Sequence, residues 1–356
     1  MKMTARSVPR LSPLSAGQIL DRAIRLYRRN FFTFVGIIAV VQVPLSLLSL
    51  IASLLGYQPP AVALEEELYL QQILSSLAQL VLVFVNAVLV NGLATAALTR
   101  AIAEGYFGES LSFVEAYRKI GGKWGRLVGA IFLAGLFSLL LFIWFIVPCI
   151  GWATGAGILF FFAMVITPLV APIVVLEDKA AGAAIRRAWD LARRRFWPVV
   201  GFVALLTLFS ILVISGPTLL LTFGFQFAGE TLVPSSDPFV VFAVQTVVTT
   251  LVQILMSLLY TPLQLTAMTL LYFDLRVRTE GFDLTMLAQS ALADEEPAAL
   301  ISQAPPPEKG PLVTGTELAY FVGLSAGIGV LYAIFFGAIF AIVGTAFGTS
   351  PGTFGP

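Results

Sequence analysis

The feature that most constrains this chain is the recurrence of apolar stretches long enough to cross the ~30 Å hydrocarbon layer of a bilayer. They run from Phe31 to Gly56, Leu68 to Ala103, Leu127 to Val147, Trp152 to Leu176, Trp197 to Phe223, Phe239 to Phe273 and Leu318 to Gly348. The second and sixth would reach ~50 Å at 1.5 Å per residue, so they must tilt, kink or project into water. The Asn91-Gly92 pair and Pro262 are the predicted kink sites. Only 12% of the 356 residues are charged, about half the fraction usual in a soluble domain. The sequence therefore predicts an all-α polytopic membrane protein with about seven transmembrane helices.

Orientation follows from the basic residues. Lys2, Arg6, Arg10, Arg22, Arg25, Arg28 and Arg29 precede the first span; Arg100, Arg118, Lys119, Lys123 and Arg126 surround the second loop. Lys179, Arg186, Arg187, Arg193, Arg194 and Arg195 follow the fourth span, and Arg276, Arg278 and Lys309 follow the sixth. These are all 21 basic residues, and a seven-span chain puts every one on the same side. The other side holds Glu65, Glu66, Glu67, Glu230 and Asp237. The positive-inside rule then predicts a cytoplasmic N-terminus and an outside C-terminus. About thirty N-terminal residues are polar and basic before any long apolar run, unlike a signal peptide.

An internal repeat organises the spans. Aligned without a gap, Ser15 to Ala39 and Ala180 to Ala204 share Ala16/Ala181, Gly17/Gly182, Arg22/Arg187, Ala23/Ala188, Arg28/Arg193, Arg29/Arg194 and Phe31/Phe196, among others. A weaker third copy sets Ala116, Trp124, Val128 and Gly129 against Ala23, Phe31, Val35 and Gly36. Each unit reads as an amphipathic helix, an interfacial aromatic, an outgoing span and a returning span. Three units in one orientation are related by an axis along the membrane normal. Ser15 with Gln18 and Ser112 with Glu115 form capping-box patterns at two of the amphipathic helices. This divides the chain into a basic tail (1–14), a six-helix membrane domain with three interfacial helices (15–287), an Ala/Pro-rich cytoplasmic linker (288–316) and a seventh helix with a short outside tail (317–356). The seventh helix lies outside the repeat and reads as an addition to it.

The run Leu14-Ser15-Ala16-Gly17-Gln18-Ile19-Leu20-Asp21-Arg22-Ala23, followed by a basic stretch and Phe31, resembles the opening of the membrane domain associated with glycerophosphoryl diester phosphodiesterases. Pro172 through Glu177, followed by Ala188-Trp189, is similar to that family's middle signature. Tyr272-Phe273-Asp274-Leu275-Arg276-Val277-Arg278-Thr279-Glu280-Gly281-Phe282-Asp283-Leu284 resembles its closing motif, the most specific of the three. The resemblance implies a polytopic architecture and a bacterial or archaeal plasma membrane. In some members this domain is fused to a soluble enzyme that uses histidines and a carboxylate-bound metal. This chain has no histidine, so the resemblance does not carry that activity across.

Residue chemistry points the same way. Without histidine the chain lacks the commonest general base and zinc ligand, and no phosphate loop, metal cluster or nucleophile elbow is legible. The reading is therefore no catalytic residue, no cofactor, no metal and no nucleic-acid partner. Cys149 is a lone thiol, so no internal disulfide forms. Glu177 and Asp178 read as acids that favour the next helix's dipole, with Asp178 opening that helix. Asp274 and Asp283 read as solvated or paired with nearby arginines.

Three features bear on function. Arg22, Arg25, Arg29, Arg186, Arg187, Arg193, Arg194 and Arg195, with Trp189 and Trp197, face the headgroup zone as topology anchors or as contacts for anionic phospholipid or a partner. Gln72, Gln79 and Asn86 in the second span, and Gln253, Ser257, Thr261 and Gln264 in the sixth, make polar stripes. These serve as interhelical hydrogen bonds or line a cavity. Ala326, Ala333, Gly337, Ala341, Gly344 and Gly348 form a small-residue seam in the seventh helix, for packing on the bundle, self-association or a partner helix. The expected function is a non-enzymatic integral membrane protein acting as scaffold, partner subunit or lipid-contacting module, with a lipid or amphiphile carrier as the alternative.

The charge distribution makes a direct topological prediction. In a Cys149→Ser background, Glu66→Cys and Gly229→Cys should react with an impermeant thiol reagent applied to intact cells, and Gln303→Cys should not. Labelling at Gln303 would overturn the seven-span topology.

Overall fold

A membrane-spanning chain must satisfy its backbone internally, and this one does so with helices. The computed structural model describes residues 13–57, 66–106, 111–233, 237–284 and 313–346. Helix α1 (Ala16–Arg29) precedes α2 (Phe31–Leu55); α3 (Glu66–Val88) passes through a π-helical turn, Leu89–Ala94, into α4 (Thr95–Tyr106). Helix α5 (Phe113–Ile120) leads to α6 (Trp124–Ile146), and α7 (Ile150–Phe160) passes through a second π turn, Phe161–Ile166, into α8 (Thr167–Leu176). Then come α9 (Ala181–Arg193), α10 (Phe196–Ser210), a third π turn, Ile211–Ser215, α11 (Gly216–Leu232), α12 (Pro238–Glu280) and α13 (Gly315–Ala346). The tail before residue 13 and most of the Ala/Pro-rich segment lie outside the described residues.

Among the described residues, six helical stretches have the length and apolarity to cross a membrane: Phe31–Leu55, Phe113–Ile146, Ile150–Leu176, Phe196–Gly229, Pro238–Glu280 and Gly315–Ala338. The second expected span is the α3–α4 helix, whose apolar run is the shorter Ile73–Asn86. Its interruption falls at Asn91-Gly92, as the sequence predicts. A Cβ on Gly92 would stand 2.1 Å from Ile131 Cδ1 of α6, so the missing side chain permits a close approach. The Thr95 hydroxyl donates to the Val90 carbonyl at 3.1 Å within this turn. Pro262, by contrast, sits inside a helix that runs unbroken for 43 residues, about 65 Å at the helical rise. The far end of α12 therefore projects beyond any hydrocarbon layer.

The chain forms two compact units. The first spans 1–133 and 165–307. Its core is where α4, α8 and the end of α12 pack together. Alanine and threonine dominate α4, so backbones approach closely, and Ala94, Ala96, Ala97 and Leu98 are fully buried. Leu169 to Leu176 and Thr266 to Val277 are buried along their whole lengths. Three amphipathic helices surround this core: α1 packs on α12, α5 on α4 and α9 on α8.

Some positions aligned in the sequence repeat have the same burial. Ala23, Ala116 and Ala188 are each buried, and so are Phe34, Leu127 and Val199 in the helices that follow. Both strong copies break their helices at the aligned residues, Asn30 (φ −117°, ψ 28°) and Arg195 (φ −131°, ψ 47°). Both sequence-expected capping boxes form, at Ser15/Gln18 and Ser112/Glu115.

The second unit spans 134–164 and 308–356. Here α13 packs against α7, with Ser325 Oγ accepting the Gly157 N–H at 2.7 Å. A Cβ on Gly157 would lie 2.2 Å from the Phe321 carbonyl oxygen. The seventh helix is thus a packed partner of α7. The face it uses carries Glu317, Phe321 and Ser325, while Ala326, Ala333 and Gly337 of the predicted seam are exposed.

Candidate functional site

Charged side chains collect at the ends of the spans, because the hydrocarbon interior excludes them. In the first unit the returning helices each end near an acid: Glu104 on α4, Glu177 just after α8, and Asp274 on α12. An α-helix also ends with carbonyls that have no intrahelical partner and with a negative dipole end. Both needs are met by cations from the amphipathic helices.

Glu177 is the most enclosed of these acids, its side chain fully buried. Tyr272 Oη donates to its Oε1 at 2.8 Å, and Arg187 Nε donates to its Oε2 at 3.1 Å. Arg276, 1% exposed, stands 3.8 Å from the same carboxylate and 3.3 Å from that of Glu280. Glu280 in turn pairs with Arg187 at 2.5 Å, and the Arg276 guanidinium lies 4.2 Å from the Phe282 ring centroid. Gly281 in the left-handed region (φ 64°) ends α12, and Phe282 follows it directly. Two carboxylates and two guanidiniums balance. Burial disfavours the charge on Arg187, but the Glu280 and Glu177 carboxylates outweigh it and raise its pKa. Breaking one member of such a network costs about 3–5 kcal/mol, because a buried charge is left unmatched.

The other two acids make analogous ties. Asp274 Oδ1 accepts the Leu14 N–H at 2.7 Å, just ahead of α1. Arg278 donates to the Asp274 carboxylate at 2.8 Å and to the Leu14 carbonyl at 2.7 Å. Glu104 accepts from Lys119 of α5 at 2.8 Å and from Arg100 at 2.7 Å. Meanwhile Arg29 donates to the Gly105 carbonyl at 3.5 Å, Lys123 to Val175 at 2.7 Å and Arg194 to Thr279 at 3.4 Å. The last carbonyls of α4, α8 and α12 are therefore each met by a cation at or just beyond the end of an amphipathic helix.

This placement corrects the reading of Glu177 and Asp178 as helix openers. The N-cap of α9 is Ala180, with no side-chain cap. Asp178 has φ 56° and pairs with Lys123 and Arg126, each at 2.9 Å. Its hydrogen bonds to those two cations hold its carboxyl below the usual carboxylate range. That contribution is present above the usual range and is lost as pH falls through the lowered value.

The predicted headgroup arginines separate into two sets. Arg187 faces inward to Glu177 and Glu280, and Arg186 and Arg193 pair with Asp190 at 3.3 and 3.2 Å. Arg22 donates to Tyr106 Oη at 3.1 Å. Arg25 and Arg29 are exposed, with Arg25 paired to Asp21 at 2.7 Å. Arg194 and Trp197 are exposed, whereas Arg195 and Trp189 are half-buried.

Among the described residues, the hydrogen bonds of the polar stripes do not join one stripe to the other. Gln79 donates to Ser53 at 3.5 Å, and Ser257 meets Thr261 at 3.1 Å. Gln253 is exposed, Asn86 and Gln264 are half-buried, and the Gln72 side chain lies outside the described residues. Sequence reasoning missed Gln42, which donates to Ser257 across α2 and α12. The signal was there, as a lone amide in the first span.

Helices that cross a membrane, tied by a charged layer at one end, define an integral multi-pass membrane protein of the all-α class. Residues 151–293 match the family described as the membrane domain of glycerophosphoryl diester phosphodiesterase, the family whose motifs the sequence resembles. No curated protein and no solved structure matches the chain. The matched region contains Glu177, Arg187, Tyr272, Arg276 and Glu280, so the middle and closing signatures meet in one cluster.

The ties differ in burial, and stability should follow. Asp178, half exposed, should cost at most about 1 kcal/mol when replaced by asparagine. Asp274→Asn should cost about 1–3 kcal/mol, since it leaves Arg278 and the Leu14 N–H poorly matched. Unfolding in detergent measures both, and equal losses would contradict the ranking.

Proposed function

We propose that this chain is a non-enzymatic scaffold of a bacterial or archaeal plasma membrane, whose charged layer faces the cytoplasm and contacts anionic phospholipid. One observation carries the reading: aromatic side chains stand exposed beside the arginines where each outgoing span begins. Phe32 is 88% exposed, Trp124 40% and Trp197 49%. Aromatic rings prefer the headgroup zone, and arginines near an anionic surface contribute about 1 kcal/mol each. The inner charges neutralise one another and support a structural role for the buried cluster. The carrier reading requires a polar path through the first unit, and the exposed Gln253 and the separate Gln79–Ser53 pairing give it little support.

The test uses the exposed arginines, whose loss spares the buried cluster. Arg25→Gln/Arg28→Gln/Arg194→Gln protein, reconstituted in mixed anionic and zwitterionic nanodiscs, should show reduced anionic-lipid enrichment by mass spectrometry. Arg6→Gln/Arg10→Gln protein is the control. Equal enrichment in both would mean that the arginines act only as topology signals.

A further inference from the structure

A helix at the edge of a bundle buries one face and exposes the other. The half of α12 remote from the charged layer does neither: every residue from Val241 to Thr250 is half-buried. Neighbouring helices, α2 and α11 among them, surround this segment without closing on it. One turn deeper, Ile254, Ser257 and Tyr260 are buried. Gln253 shares a face with Ser257 and Thr249 by helical spacing, yet it is exposed. An exposed amide on a face otherwise turned inward marks an open space beside the helix.

Helix α2 supplies the facing wall. Gln42 donates to Ser257, and fifteen residues away on either helix the Tyr57 ring lies 4.7 Å from that of Phe242. The two ties are therefore ~22 Å apart on both helices, which run antiparallel between them. Gln42, Ser46, Ser49 and Ser53 recur at helical spacing on one face of α2, and all four are half-buried. Leu47, Leu48, Ile51 and Leu55 are exposed on its other side. From α3, Gln79 donates to Ser53 at 3.5 Å. The Gln42–Ser257 contact closes the deep end of the crevice, and Thr266 to Val277 beyond it are buried. It is a dead end. No charged residue lies between the ties on either helix. Its polar groups are partly unspent: Gln42 Oε1 is buried with no hydrogen-bond partner, and the Ser46 and Gln253 side chains make no hydrogen bond among the described residues.

We infer that this crevice is hydrated and binds an uncharged, hydroxyl-rich group, a sugar or polyol, through Gln42, Ser46, Ser49, Thr249 and Gln253. A charged ligand would lose its hydration there and meet no counter-charge. An apolar one would leave the Gln42 carbonyl unmatched. A hydroxyl both donates and accepts, as walls of amides and hydroxyls require. A soluble sugar and a glycolipid headgroup share this chemistry. Ser257 stands about 25 Å along α12 from Asp274, so the anionic-phospholipid reading of the charged layer stands or falls separately.

The experiment labels single cysteines of the full chain, in nanodiscs and a Cys149→Ser background, with a membrane-impermeant maleimide. Ser49→Cys and Thr249→Cys should react at least about tenfold faster than Leu48→Cys and Leu251→Cys, because the lipid-facing thiols do not ionise in hydrocarbon. Maltose in solution, or a glucosyl diacylglycerol in the disc, should slow the crevice cysteines about threefold or more. Gln42→Leu and Ser46→Ala, each added to Thr249→Cys, should weaken that protection while the unprotected rate stays high. Circular dichroism melting confirms that each variant is folded. Protection by maltose assigns a soluble ligand, and protection by the glycolipid alone assigns a headgroup; either supports the inference. Equal labelling at all four positions would show that no crevice opens. Fast crevice labelling that neither sugar slows would show water alone, and protection that survives both added substitutions would place the sugar elsewhere. Each of these three results overturns the proposal.

Discussion

The structure depends on what holds Glu177. A carboxylate removed from water at the end of a membrane helix is tolerable only if each oxygen is matched. Here Arg187, Tyr272 and Arg276 supply the match from α9 and α12. One side chain thereby fixes a returning span, an amphipathic helix and the last span of the first unit. Lipid offers helices little hydrophobic reason to associate, so close small-residue packing and polar ties of this kind must supply the cohesion. The buried alanines and threonines of α4 provide the packing, and the charged layer provides the ties.

The same logic recurs around the unit. Glu104, Glu177 and Asp274 each hold the amphipathic helix that packs on their own returning span: α5, α9 and α1 respectively. Cations from the other direction meet the last carbonyls: Arg29 on α4, Lys123 on α8, Arg194 on α12. The order is cyclic, because the last span returns to the first amphipathic helix. Arg29 and Arg194 are aligned in the sequence repeat and do the same work. Closure of this kind joins the first motif to the last across 260 positions of sequence.

Much of this fold was legible beforehand. Apolar length located the six membrane-length helices found among the described residues, caps gave the starts of α1 and α5, and Asn91-Gly92 marked a helix irregularity. Asn30 and Arg195, aligned in the gapless repeat, both interrupt their helices, a break that the apolar pattern does not announce. The pairing of charges was not legible. Periodicity reports which face of a helix is polar, and it treats Arg187 and Arg25 alike. Their fates differ because the ends of α8 and α12 bring Glu177 and Glu280 to one, while the other is left exposed. Glu177 looked like a cap for the same reason: its partners lie 10 and 95 residues away. Gln42 was passed over because a single amide makes no stripe. On α13 the packing against α7 falls to Phe321 and Ser325, because regular spacing of small residues says which face could pack and not which one does.

The central claim is that Glu177 and Arg187 are energetically coupled within a buried network that ties the unit together. A double-mutant cycle on unfolding in detergent measures that coupling directly. Glu177→Gln and Arg187→Gln should each destabilise the protein by about 3 kcal/mol or more, and the double variant should lose at least ~1 kcal/mol less than their sum. Additive losses, or single losses as small as those of an exposed ion pair, would contradict the account.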